Sequence, residues 1–204
     1  KNMPPIHPGI KERSFYRNAE GLAEDVKYYG QWMREKAWER IGHLYPQVDL
    51  PKEYGGGKGT VVAWIWARTV PSPDPAFADV PVPLITSFML STKKGGEARI
   101  EPRVDRVARS ITFEVHTTGS AGEWEAAKSG TKAGAGSNFR CLMSGSAITT
   151  EYLRAQAGAG KLGQQLIAMV VQMKGGRVFI APDAEHEAIA KSCTPAWAPD
   201  QKIS

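Results

Sequence analysis

The amino-acid sequence predicts an α+β fold: a long N-terminal helix packed on a mainly antiparallel, zinc-ribbon-derived β-sheet, with short C-terminal helices. Three observations predict it. Leu22, Val26, Tyr29, Met33, Ala37, Ile41 and Leu44 recur at spacings of three and four, which puts them on one helical face. The strongest apolar run of the chain, Val61 to Ala67, is followed at once by a proline-broken turn, Ser72-Pro73-Asp74-Pro75-Ala76-Phe77. Further β-rich segments lead to a second tight turn, Cys141-Leu142-Met143-Ser144-Gly145. In a metal ribbon, each such turn holds two thiolates at the end of a hairpin, four in all for tetrahedral zinc. Here Cys141 alone is available, so zinc is expected to have been lost.

The chain has 204 residues, enough for one large domain or two small ones. The organisation expected is an arm and long helix over 1–50, a degenerate ribbon-like β domain over 51–182, and a helix with an extended tail over 183–204. Composition is that of an ordinary globular chain, which argues against wholesale disorder. No apolar run approaches the ~18 residues of a membrane span, and Lys1-Asn2-Met3-Pro4-Pro5 lacks the apolar core of a signal peptide. A cytoplasmic protein with no membrane partner is expected. Cys141 and Cys193 are then expected as two reduced thiols, although sequence does not place their Cα atoms and a disulfide stays open. The formal charge of +5 is compatible with a polyanionic partner and too modest to demand one.

Residues 1–17, with Pro4, Pro5 and Pro8, read as an extended arm in the form of a linker from an upstream segment. Asn18 is the expected N-cap of the long helix, whose acidic start (Glu20, Glu24, Asp25) and basic end (Arg34, Lys36, Arg40) suit its dipole, and Pro46 closes it. Pro51 to Lys58, with three consecutive glycines, is a flexible turn. Strands are expected over 60–70, 84–91, 98–104 and 110–117. Residues 118–138, rich in Gly, Ala, Ser and Thr, are expected to be a mobile loop. A short helix over 148–157, a hairpin of 166–173 with 177–181, and a helix over 184–191 capped by Asp183 complete the reading.

Functional candidates are few. Trp64 and Trp66 fall on one strand face, where they either pack the sheet or offer a base-stacking platform, and packing is the commoner use. Lys93, Lys94, Arg99 and Arg103 could form a basic edge facing DNA phosphates, against the plainer reading of a charged hairpin tip that blocks aggregation. The histidines show no ligand spacing, and His186, between Glu185 and Glu187, reads as part of a surface helix. Gly158 to Gly163 matches G-x-G-x-x-G, but that motif works between a strand and the helix it opens, and here a helix is expected to come first. Asp74-Pro75-Ala76-Phe77 approximates the Asp-Pro-Pro-aromatic loop with which amino-methyltransferases grip a flipped base. The sequence shows no nucleophile elbow, phosphate loop or paired His/Asp constellation.

The segments Gly21 to Met33, Arg40 to Pro46, Ala63 to Val70, Tyr152-Leu153-Arg154, Gly163 to Leu166 and Glu185 to Ala188 resemble a family of large bacterial and archaeal proteins. That family is described as adenine-specific DNA methylases containing a zinc ribbon. The family turns are Cys-Pro-x-Pro-x-Cys and Cys-x-x-Cys-Gly. The resemblance implies that Ser72, Phe77, Cys141 and Ser144 stand at the four zinc positions, and that Asp74 to Phe77 is a knuckle and not a catalytic loop. It also implies that the S-adenosylmethionine and catalytic motifs lie outside this segment, so no cofactor is expected in this chain. The function expected is a non-catalytic insert or accessory domain of a methylase-like protein, contacting DNA or scaffolding flanking methylase domains. A protein-interaction module with no nucleic-acid role, and a methyltransferase in its own right, are the alternatives.

Overall fold

The computed structural model describes residues 3–10, 13, 15–134 and 136–193. The chain divides into two compact units, Lys1–Pro46 and Gln47–Ser204. The expected extended tail from Thr194 onward lies outside the described residues.

In the first unit, α1 (Glu20–Ile41) is continued by a 3-10 turn, Gly42–Leu44. Its N-cap is Ala19, which has no side-chain hydrogen bond to offer, and Asn18 instead takes a left-handed conformation (φ 51°). The segment expected to be an extended arm folds back on the helix. The Asp25 carboxylate accepts the backbone N–H groups of Ile6 and His7, both at 2.9 Å, and the His7 ring stacks on Tyr28 with centroids 4.4 Å apart. Arg13 pairs with Glu24 at 3.0 Å. Gly21 permits the crossing, since a Cβ there would run into the backbone of Met3 and Pro5. The arm therefore covers the Gly21, Asp25 and Tyr28 side of α1. The apolar stripe is left exposed, with Leu22 and Val26 each at 65% and Met33 at 63%.

The second unit is built on β2 (Lys58–Pro71) and β9 (Gly163–Met173), which pair antiparallel along almost their whole length. β1 (Gln47–Asp49) and β3 (Pro81–Leu84) pair with the two ends of β2, and β10 (Gly176–Ile180) closes the other side against β9. β4 (Met89–Ser91), β5 (Ala98–Asp105) and β6 (Ser110–His116) form a second antiparallel sheet, and β7 (Phe139–Arg140) with β8 (Ala147–Ile148) a small third one. The fold is α+β and antiparallel throughout, as the sequence predicts. Register shifts at Val61/Ala63 and Ile65/Trp66 interrupt the strict alternation of sides. They let the central ladder feed two cores: one around Val70, Val82, Ile100, Phe113, Met143 and Ala168, the other around Val48, Leu50, Val61, Leu166 and Met169.

The expected mobile loop of 118–138 contains α2 (Ala121–Ala127), opened by a capping box in which Ser120 and Glu123 satisfy each other's backbone N–H. Its return is anchored by buried Thr131, whose hydroxyl takes the Ile85 N–H at 2.9 Å. Small residues there serve a close approach: at Gly130 a Cβ would run into the Ile85 carbonyl. α3 (Thr150–Gly158) is capped by Thr149, and α4 (Ala184–Ser192) by Asp183 as expected.

Two methionines test this partition. Met169 is fully buried and Met33 exposed, so Met169→Ala should cost about 2–5 kcal/mol in denaturant unfolding while Met33→Ala stays within about 0.5 kcal/mol.

Candidate functional site

β2 ends at Pro71 and delivers Ser72 into the interior, where its N–H bonds the Val80 carbonyl at 3.0 Å. Between them, Asp74 caps the 3-10 turn Pro75–Phe77 by accepting the Ala76 N–H at 2.9 Å. The second turn joins β7 to β8. Cys141 exchanges backbone bonds with Ser146 and Gly145, and Gly145 takes the left-handed conformation (φ 80°) that this tight reversal needs. The two turns meet: Ser72 Oγ lies 3.2 Å from Cys141 Sγ, and the thiol is 1% exposed.

Burial alone pushes the Cys141 thiol up. The Ser144 and Ser72 hydroxyls and the backbone N–H groups of Ser144 and Met143 outweigh that, and hold it below the ordinary thiol value. The sulfur thus sits in a cradle of donors. Tyr152 of α3 ties the site to the strand end by donating to the carbonyls of Pro71 (3.1 Å) and Ser72 (3.3 Å). Burial raises its phenol, with the neighbouring Cys141 adding to the effect. Phe77 packs on the first core, with Arg109 5.6 Å over its ring and bonded to the Ala76 carbonyl and Asp79. One sulfur and two neutral hydroxyls are a poor donor set for zinc. Among the described residues, no group of three or more His, Cys, Asp or Glu is placed to hold a metal ion.

The residues considered for DNA contact separate into two groups. Lys93 and Lys94 are exposed at the β4–β5 turn. Arg99 is 5% exposed, bonds Glu101 (3.0 Å) and Glu123 (3.1 Å), and lies 5.8 Å from the Trp124 ring centre. Arg103 is held between Glu101 (2.9 Å) and Glu114 (2.8 Å). The strand spacing that aligns these arginines aligns their carboxylate partners too, so they form a neutral ladder and not a basic edge. Trp64 and Trp66 pack against the second core.

Three further motifs resolve as structure. Gly158 to Gly163 joins the end of α3 to the start of β9, the reverse of the order phosphate binding requires. Asp74 to Phe77 is the capped turn above. His186, expected on a surface helix, is 8% exposed and holds Asp183 through Nδ1 at 2.6 Å. It lowers the Asp183 carboxyl against the raising effect of burial.

No family model, curated protein or solved structure matches the chain. A feature not singled out in the sequence is a cavity of about 480 Å³ between the β4–β5 and β9–β10 hairpin tips, with Tyr54, Glu97, Thr117 and Arg177 in its walls. Its residues are drawn from four separate stretches, and no local motif marks them.

An acid held below its ordinary value adds stability that is complete above the unfolded value, about 8.5 for a thiol, and is lost as pH falls through the folded one. The melting-temperature gap between wild type and Cys141→Ala should therefore widen as pH rises from neutrality toward that value. Ser72→Ala, which removes one donor, should return the thiolate's ultraviolet titration toward that of an ordinary cysteine.

Proposed function

We propose that this chain is a non-catalytic accessory domain of an adenine-specific DNA methylase-like protein in the cytoplasm, a ribbon that has exchanged its metal for hydrogen bonds and apolar packing. The single observation that carries the reading is the 3.2 Å contact between Ser72 and Cys141. It joins two turns 69 residues apart in sequence, at the positions where the resemblance puts two zinc ligands. Sulfurs that share a tetrahedral zinc through bonds of ~2.3 Å must come comparably close.

Within that role the domain scaffolds its methylase neighbours in preference to gripping DNA. Arg99 and Arg103 are neutralised by carboxylates, and Trp64 and Trp66 are occupied in packing. What the first unit does offer is apolar: Leu22, Val26, Trp32 and Met33 of α1 are exposed. Contact with DNA through Lys93 and Lys94 is the second reading, favoured by the exposure of both at a turn. A methyltransferase in its own right is the weakest, because the glycine motif stands between a helix and a strand.

A DNA titration of the chain at two salt concentrations, with and without S-adenosylmethionine, separates the readings. A scaffold should bind duplex DNA no more tightly than nonspecific proteins do, with Kd of about 10⁻⁴ to 10⁻⁶ M at physiological salt, and be indifferent to the cofactor. Tighter, steeply salt-dependent binding that disappears in Lys93→Glu/Lys94→Glu would establish DNA contact instead.

The ribbon ancestry has its own check. Ser72→Cys, Phe77→Cys and Ser144→Cys together should restore zinc binding and make the melting temperature sensitive to chelator, while the wild-type temperature stays unchanged. A triple variant that folds but takes up no zinc would count against the ancestry.

A further inference from the structure

β10 lies at the end of its sheet and pairs with β9 alone among the described strands. The register decides which of its backbone groups are spent. Met173 and Gly176 close the hairpin across Lys174 and Gly175, so they form a hydrogen-bonded pair, and the ladder alternates from there. Gly176, Val178 and Ile180 direct their N–H and C=O groups to β9. Arg177 and Phe179 direct theirs away from it. The Phe179 carbonyl is capped by the Tyr54 hydroxyl at 3.1 Å, which agrees with that assignment. Among the described strands none pairs with this side, so the Arg177 N–H and C=O and the Phe179 N–H form a row of donor, acceptor and donor along the edge.

This edge is not bare surface. It forms one wall of the cavity of about 480 Å³, whose other walls are Gly95 and Glu97 from the β4–β5 turn, Thr117 just after β6, and Tyr54 from the turn before β2. The volume falls within the range of about 300–1,000 Å³ typical of ligand sites. Lys94 and Lys174 directly precede the lining glycines Gly95 and Gly175, and Arg177 lines the cavity itself. All three cations are exposed, and no ion pair engages them among the described residues. Tyr54, packed against the second core, is followed by Gly55, Gly56 and Gly57, all at positive φ.

We infer that β10 accepts an extended acidic peptide segment of a partner protein as an added strand, lying in this cavity and bonded to Arg177 and Phe179, with the Tyr54 hydroxyl holding the last acceptor until a strand N–H replaces it. Main-chain bonds supply the attachment in this mode of recognition, and side-chain pockets and charge supply the selectivity. A peptide fits better than a nucleic acid strand. The Arg177 N–H and C=O and the Phe179 N–H alternate as a strand backbone requires, and the Glu97 carboxylate that lines another wall is bonded to the Gly95 N–H at 2.9 Å.

The test uses the full chain and a fluorescent, acetylated peptide of alternating glutamate and valine. N-methylation of alternate residues offers two versions, one blocking the N–H groups that would face β10 and one blocking those that face away. The first should weaken binding by roughly tenfold or more, and the second should leave it nearly unchanged. Hydrogen exchange should slow at the Arg177 and Phe179 amides on binding. Tyr54→Phe, which frees the Phe179 carbonyl, should tighten binding, and Lys94→Glu/Lys174→Glu should weaken it. Absence of binding, equal affinity of the two methylated peptides, unchanged exchange at both amides, or preference for single-stranded oligothymidine over the peptide would overturn the inference.

Discussion

The antiparallel ladder between β2 and β9 is the constraint on which the second unit depends. Ala67 and Ala168 put their side chains into one core, while Leu166 and Met169 put theirs into the other, so the paired strands contribute to a core on each side. A fully buried valine, leucine or methionine contributes about 1.5–3 kcal/mol, so residues such as Val61, Val70, Leu166 and Met169 concentrate stability in this pair. The bulges make double-sided burial possible without a continuous apolar run. At Ile167 and Ala168, two consecutive residues feed the same core, which a regular strand does not allow.

From that ladder the position of the thiol follows. β2 carries Ser72 inward at one end, α3 runs back to set Tyr152 against the same strand end, and the β7–β8 turn brings Cys141 to meet them. A buried thiol needs its charge-bearing form stabilised or its proton kept. Four donors around Cys141 favour the first, at the expense of the desolvation that opposes it. In the proposed lineage this cradle, with Phe77 packed beside the core, takes over the closure of the hairpin ends that a metal supplies in a ribbon.

Charge is arranged on the same economy. The arginines of β5 are matched by carboxylates on β5, β6 and α2. Lys94, Lys174 and Arg177, around the edge of β10, have no such ion pair among the described residues.

Much of this was legible in the chain. The α+β class, the helix of Glu20–Ile41, the long apolar strand and the Asp183 cap all come from local patterns of period and capping chemistry that operate within a few residues. The Ser120/Glu123 capping box was equally local and was masked by the small residues around it. The folding-back of the arm and the neutralisation of the β5 arginines were not legible, for a different reason. Whether Asp25 holds a distant backbone, or Glu123 neutralises Arg99, depends on partners brought in from elsewhere in the chain. Periodicity and composition by themselves determined which segments are helices and strands and which faces of them are apolar. Tertiary structure alone decided which polar groups are spent on one another and which remain open, because hydrogen bonds and ion pairs act over a few ångströms of space and not over positions in a sequence.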